Sequence, residues 1–366
     1  MRLPHDPIWI DALLPTILLR GVLLAFAPLA VLVFSPQVLQ GNSPLRLWER
    51  WDAGHYLEIA KQGYGPPTDP ALITFFPLTP ALVALGSRVI EPLAAGMLVA
   101  FVATLASSAG IYRLIRLDYG RQTARLGALA ISVFPTSFAL IAPYSEGVFL
   151  AFVVWSFLFA RTGRWSAAGV CALLASLARL QGVFLLPALA AEYWLSRRRI
   201  DRDAGWLLLG LGGPLIYLGI NALTFGDPLF FLSIQKSVFQ HTLTAPWVVL
   251  GDAYIGATAI QATESWATVY LAPFVAFVIL ALTLVWTLVG SERRPSYAIY
   301  TAVTFVSFTS LSWPISMPRY LIGVFPMFIA AGRLGRIPWL GPPLFVASAL
   351  LLGIFLTLYV SGHWAF

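Results

Sequence analysis

Between Trp48 and Tyr64 the chain reads WERWDAGHYLEIAKQGY, a stretch that places a carboxylate and an imidazole among bulky rings. On a helix, Asp52, His55 and Tyr56 are three and four residues apart and share one face. A carboxylate beside a hydrocarbon boundary, where desolvation favours taking up a proton, suits a general base. The competing role for Asp52 is an ion pair with Arg50 or Lys61 on a solvated face. His55 either orients Asp52, touches phosphate, or only faces headgroups. Trp48 and Trp51 fit the headgroup zone, so they are either an aromatic belt or, for Trp51, part of a substrate site.

Three further groups carry chemistry. In APYSEG, Ala142 to Gly147, Tyr144 precedes Ser145 and Glu146 where one helix end meets the start of another. There Glu146 is either a capping acid favoured by the helix dipole or a substrate or metal group. Arg179 and Gln181 lie between two short apolar runs, and an arginine in such a break is costly without an anionic partner. In SMPRYLIG, Arg319 follows Pro318 at the mouth of a helix and has the fork geometry to bind a phosphate with two hydrogen bonds. Snorkelling to the interface is the alternative for both arginines.

The elements that must position these residues are membrane helices. With 59% hydrophobic and 11% charged residues over 366 positions and a mean hydropathy of +0.81, the chain cannot build an ordinary water-facing shell. The single Cys171 excludes an internal disulfide and a cysteine-built zinc site. Apolar runs long enough for a hydrocarbon core of roughly 30 Å lie at about 13–34, 92–112, 126–143, 205–224, 266–290, 296–313 and 338–360. Shorter ones lie at about 145–160, 165–178, 182–195 and 319–333. The first run is too long for a signal peptide, carries Arg20 and lacks a clear cleavage site, so it reads as a retained anchor.

The run 72–90, with Pro77, Pro80 and Arg88, decides the topology. If it lies in the interface without crossing, the clusters at Arg113 to Arg125, Arg161 and Arg164, Arg197 to Arg202, Arg293 and Arg294, and Arg333 and Arg336 all fall on the cytoplasmic side with Arg2. The formal net charge of +7 then reflects orientation in a bilayer, not nucleic-acid binding. The expectation is one all-α polytopic membrane domain over residues 1–366, with eleven spans, a cytoplasmic N-terminus and an external C-terminus. Its external segments, 35–91 and 225–265, are too long to be mere connectors. In the first, Ser43 and Pro44 predict a helix start and Gly63 its end, so the Asp52 motif is expected on an interfacial helix.

No Walker loop, dinucleotide turn, HExxH or paired-cysteine motif occurs. A membrane enzyme with an external carboxylate and external arginines, but no nucleotide site, draws its activated group from a lipid phosphate, which the arginines hold as it leaves. The competing readings are a transporter or flippase of lipid-linked sugars, whose usual internal repeat is not visible here, and a non-catalytic assembly subunit. Asp52 and Glu146 alone are weak grounds for a cation, so no cofactor and no obligatory metal is expected.

RWDAGHYLEIAKQGY followed by ITFFPLTPAL, then FPTSFALIAPYSEGVFLAF, LARLQGVFLLPAL and SMPRYLIGVFPMF, in this order, resemble the PIG-V family of GPI mannosyltransferase 2-like proteins within the GT-C class of membrane glycosyltransferases. The resemblance implies a GT-C fold with interfacial helices in the first external loop, a polyprenyl- or dolichyl-phosphate mannose donor, and inverting transfer at the external face. It implies Asp52 as the base, Glu146 beside it, and Arg179 and Arg319 on the lipid phosphate, with Trp51, His55, Tyr56, Tyr144, Gln181 and Tyr320 lining the site. The segment 225–265 matches nothing in the family, and the chain is short for a eukaryotic member, which favours a bacterial cell-envelope glycan, lipid or protein as acceptor.

Overall fold

Hydrocarbon offers no water to unpaired backbone groups, so a chain this apolar must satisfy its N–H and C=O groups within helices. The computed structural model, which describes residues 7–40, 43–259, 265–290 and 294–366, does so: among these residues there is no strand, only one isolated bridge between Leu243 and Leu311. The helices are α1 Leu14–Phe34, α2 Asp52–Gln62, α3 Leu78–Gly86, α4 Pro92–Arg116, α5 Arg121–Val133, α6 Glu146–Arg161, α7 Trp165–Ala178 and α8 Leu185–Arg197. They continue as α9 Gly212–Phe225, α10 Phe230–Ser237, α11 Pro246–Ala259, α12 Ala272–Val289, α13 Pro295–Thr309, α14 Met317–Tyr320, α15 Phe325–Leu334 and α16 Gly341–Val360.

Five helical stretches are long and apolar enough to cross a membrane: Trp9–Phe34, Pro92–Arg116, Arg202–Phe225, Ala267–Val289 and Gly341–Val360. The protein is therefore a multi-pass integral membrane protein. The other six apolar runs are carried by shorter helices, from the 10 residues of α15 to the 16 of α6, so eleven counts apolar runs and not full-length spans. The breaks have local causes. The run 126–143 was expected as one span, but α5 stops at Val133 because Pro135 forces Phe134 to an extended ψ of 139°, and the chain resumes as a 3₁₀ turn, Ser137–Leu140. The run 72–90 yields a 3₁₀ turn, Pro70–Thr74, and the nine-residue α3. At 1.5 Å per residue α3 is about 14 Å long, half of what crossing needs.

Helices approach one another through small residues, as expected where lipid gives no hydrophobic drive for association. At the α5–α15 crossing a Cβ on Gly332 would lie 2.5 Å from the Thr123 carbonyl oxygen and 2.9 Å from the Gly127 nitrogen. Gly332→Ala is therefore expected to cost about 1–3 kcal/mol through overpacking, read as a lowered Tm of the detergent-solubilised protein; an unchanged Tm would contradict the crossing. Buried threonines return their hydroxyls to the helix, Thr104 to Ala100 O and Thr301 to Tyr297 O, both at 2.8 Å.

One end of the bundle collects the basic clusters of the charge pattern and neutralises several of their members in place. Arg121 makes a two-point pair with Asp11 at 2.6 and 3.0 Å. Arg161 pairs with Asp118 and donates to the Tyr297 hydroxyl. Buried Glu192 takes Arg294 at 2.7 and 3.0 Å and the Ser296 hydroxyl at 2.6 Å. Arg2 and Arg293, counted in the charge pattern, lie outside the described residues. The opposite end carries the broken helices and all the residues singled out for chemistry.

Candidate active site

The expected helix through Ser43, Pro44 and the Asp52 motif is two pieces. Ser43 caps a 3₁₀ turn, Pro44–Trp48, its Oγ accepting from the Leu45 N–H at 3.4 Å. The chain then turns at Trp51, whose φ of 52° and ψ of −127° lie where bulky residues are strained by about 1–3 kcal/mol. Two phenols hold this turn: Tyr144 donates to the Arg50 carbonyl and Tyr359 to the Trp48 carbonyl, each at 3.0 Å. The break makes Asp52 the first residue of α2, where the positive end of the helix dipole favours a carboxylate. Gly63, with φ 77°, ends α2 as anticipated.

Glu146 is likewise the first residue of α6, and its side chain is buried. Arg179 sits in extended backbone directly after α7, before a 3₁₀ turn, Leu180–Phe184. Gly182 makes this break possible: a Cβ there would lie 2.2 Å from the Ser176 nitrogen. Arg319 is carried by the single turn α14.

These four residues, from four separate elements, form one chain of charges. Arg319 Nη1 lies 2.6 Å from Asp52 Oδ2, and its Nε lies 3.2 Å from Glu146 Oε1. The same Glu146 oxygen receives Arg179 Nη1 at 2.5 Å. Arg179 also reaches Ser145 Oγ at 3.3 Å and Gln181 Oε1 at 3.4 Å. The Arg319 guanidinium is wrapped by the rings of Phe366, Tyr144 and Tyr320 at 4.5, 4.9 and 5.6 Å, and Arg179 lies over Tyr320 at 4.7 Å. With side chains only 5% and 14% exposed, Arg319 and Arg179 are buried in pairs and do not snorkel. Asp52, at 26% exposure, is the member open to an incoming molecule, and its partner is Arg319 where Arg50 or Lys61 stood as candidates.

The remaining candidates divide. Tyr56 is buried on α2, and burial, only partly opposed by Arg179, pushes its phenol well up, so it stays protonated. His55 packs its ring on Phe75 at 5.1 Å, and among the described residues no hydrogen bond joins it to Asp52. Trp51 is 42% exposed at the rim and meets Trp364 edge-on at 5.2 Å. Sequence reasoning missed Trp364 and Phe366. Their signal was the run GHWAF, an aromatic pair beyond the last apolar run with a glycine in left-handed conformation at Gly362.

Two carboxylates and two guanidiniums sum to a neutral cluster. Each arginine has five N–H donors; Asp52 and Glu146 occupy part of the Arg319 fork and Glu146 part of the Arg179 fork, leaving donors for a further oxyanion. The arrangement can therefore hold a phosphate beside a carboxylate that accepts a proton.

The overall fold is that of the GT-C membrane glycosyltransferases. The structure of ArnT from Cupriavidus metallidurans bound to undecaprenyl phosphate superposes over 94% of this chain and 76% of its own, with a TM-score of 0.53 and 14% sequence identity. The oligosaccharyltransferase of Archaeoglobus fulgidus, tethered to an acceptor peptide, is similar over 88% of this chain with a TM-score of 0.47 and 13% identity, and this chain spans about half of it, 51%. Neither a protein-family model nor a curated protein sequence matches the chain.

Proposed function

We propose that this protein is a glycosyltransferase of the PIG-V kind, moving a mannosyl group from a polyprenyl-phosphate donor to a cell-envelope acceptor, with Asp52 as general base. The observation that carries this reading is the Asp52, Arg319, Glu146, Arg179 chain. The Asp52 carboxylate lies one guanidinium away from the Arg319 and Arg179 pair, which supports a proton acceptor beside a phosphate grip. In the step this supports, the acceptor hydroxyl gives its proton to Asp52 while its oxygen bonds to the sugar C1. The C1–O bond to phosphate breaks on the opposite face; its electron pair stays on the phosphate oxygen, whose charge Arg319 and Arg179 hold by hydrogen bonds. Attack opposite the leaving group inverts the anomeric centre. The positive-inside pattern supports an external site, and the undecaprenyl phosphate held by ArnT supports a polyprenyl carrier.

Purified protein in nanodiscs, given labelled mannosyl-phosphate polyprenol and an extract of candidate acceptors, is expected to form a new glycosidic product. Movement of the labelled lipid between leaflets without such a product would establish a flippase and overturn the reading. Both carboxylates are already engaged by Arg319, so turnover is also expected to survive EDTA; loss on chelation with recovery on added Mg²⁺ or Mn²⁺ would put a cation in the step.

A further inference from the structure

The second long segment, 225–265, has no part in the step above, yet its residues 242–244 are built against the loop that leads to Arg319. Between α10 and α11 the chain clasps residues 310–312. Leu243 bridges Leu311, Thr244 N donates to Ser310 O at 2.9 Å, Ser312 N donates to Thr242 O at 3.0 Å, and Thr242 N donates to Ser312 Oγ at 2.9 Å. Each side of the clasp contains a non-glycine residue in left-handed backbone, Gln240 at φ 54° and Trp313 at φ 57°. Such strain persists only where surrounding structure over-determines it, and it clusters at functional sites. Packing does not account for Trp313, a residue left 47% exposed.

Beside Trp313 lies a cavity of about 280 Å³, walled by Asp252 of α11, by Tyr270, and by Thr244 and Ile315. Its far wall is rigid: Tyr270 packs so closely on α11 that a Cβ at Gly256 would lie 2.6 Å from the ring, and Trp266 Nε1 donates to the Gly256 carbonyl at 3.2 Å. Among the described residues no lysine or arginine lines it, and Asp252 is its one formal charge. A phosphate would meet only repulsion there. The size is at the lower edge of small-ligand sites, roughly 300–1,000 Å³, which suits one ring and not a polyprenyl tail.

We propose that this cavity is a subsite for a neutral sugar ring of the acceptor, an inference that rests on the glycosyltransferase reading. Trp313 offers its face to the apolar side of the ring, as indoles do with flat, weakly polar partners. Asp252 accepts hydrogen bonds from two ring hydroxyls, and the Thr244 hydroxyl supplies a third polar contact. Trp313 and Arg319 lie on one short stretch, and α14 packs on α12, so a ring held here sits against the same segment that carries Arg319.

The test uses the full-length protein in nanodiscs with methyl α-D-mannopyranoside as probe, in the presence of saturating polyprenyl phosphate to occupy the arginine pair. Saturation-transfer NMR is expected to show binding to wild type, weakened at least tenfold by Asp252→Asn and by Trp313→Leu, and restored by Trp313→Tyr, with unfolding temperature confirming that each variant is folded. Equal probe affinity in wild type and both variants overturns the proposal, as does displacement of the probe by tetramethylammonium, which marks an ammonium site. Probe binding needs no turnover, so unaltered binding in variants of an enzyme that still transfers mannose sinks the subsite alone. Absence of transfer by wild type sinks the reading it rests on.

Discussion

Asp52→Asn is expected to lower the turnover number for mannosyl transfer about 10²–10⁴-fold, the span general-base catalysis contributes, without raising the KM for the lipid donor. Asparagine matches aspartate in shape, keeps an oxygen for Arg319 and keeps its place at the start of α2, but it cannot accept the acceptor's proton. The sign on donor affinity is the more telling part. In the wild type Asp52 occupies one edge of Arg319 at 2.6 Å. Without that negative charge Arg319 meets the donor phosphate with less competition, so donor binding holds or tightens. Steady-state kinetics with varied donor, together with equilibrium binding of polyprenyl phosphate, separate the two effects. A variant as fast as wild type would remove Asp52 from the chemistry, and a variant whose only defect is a higher KM would make it a donor-binding residue.

The second large effect is at Arg319. Arg319→Met removes the cation shared by Asp52 and Glu146, one of them buried at 3% exposure, and breaking a buried pair by deleting one partner costs about 3–5 kcal/mol. A large fall in unfolding temperature is expected, together with loss of polyprenyl-phosphate binding. Arg319→Lys should rescue part of the stability but little of the binding, because one ammonium cannot face Asp52 and Glu146 from two edges and still reach a phosphate. Glu146 keeps Arg179 in that variant, so the acid left without its partner is Asp52; adding Asp52→Asn to Arg319→Met should restore part of the stability without restoring activity. If Arg319→Met unfolds at the wild-type temperature, the charge chain is not a structural element.

The separate parts of this site were legible from their chemistry, whereas their union came only as what the family resemblance implies. Asp52, Glu146, Arg179 and Arg319 each stood out because a charge beside an apolar run is expensive and asks for a partner. Which partner is a long-range fact. Local spacing offered Arg50 and Lys61 to Asp52, and the fold supplied Arg319 from a different element. The helix through Ser43 and Gly63 was readable at both ends, yet its interruption at Trp51 was hidden, since tryptophan gives no local sign of left-handed backbone. The same blindness applies to Trp313. Hydropathy reports apolar runs: the break at Arg179 was visible as two short runs, 165–178 and 182–195, whereas the division of 126–143 at Pro135 was not. Arg20 marked the first run as unlike a leader, but only the packed bundle shows it buried with its Nη1 on the Ser137 carbonyl at 3.0 Å.

The order in which the charged residues occur along the chain bears on biogenesis. Glu146 finds Arg179 soon after it is made, whereas Asp52 enters the bilayer boundary early and meets no cation of the site until α14 has been translated. A nascent chain therefore carries Asp52 through most of its insertion without the partner it has in the folded protein. A product stalled before Arg319 lacks the link that joins Asp52 to Glu146 in the folded protein.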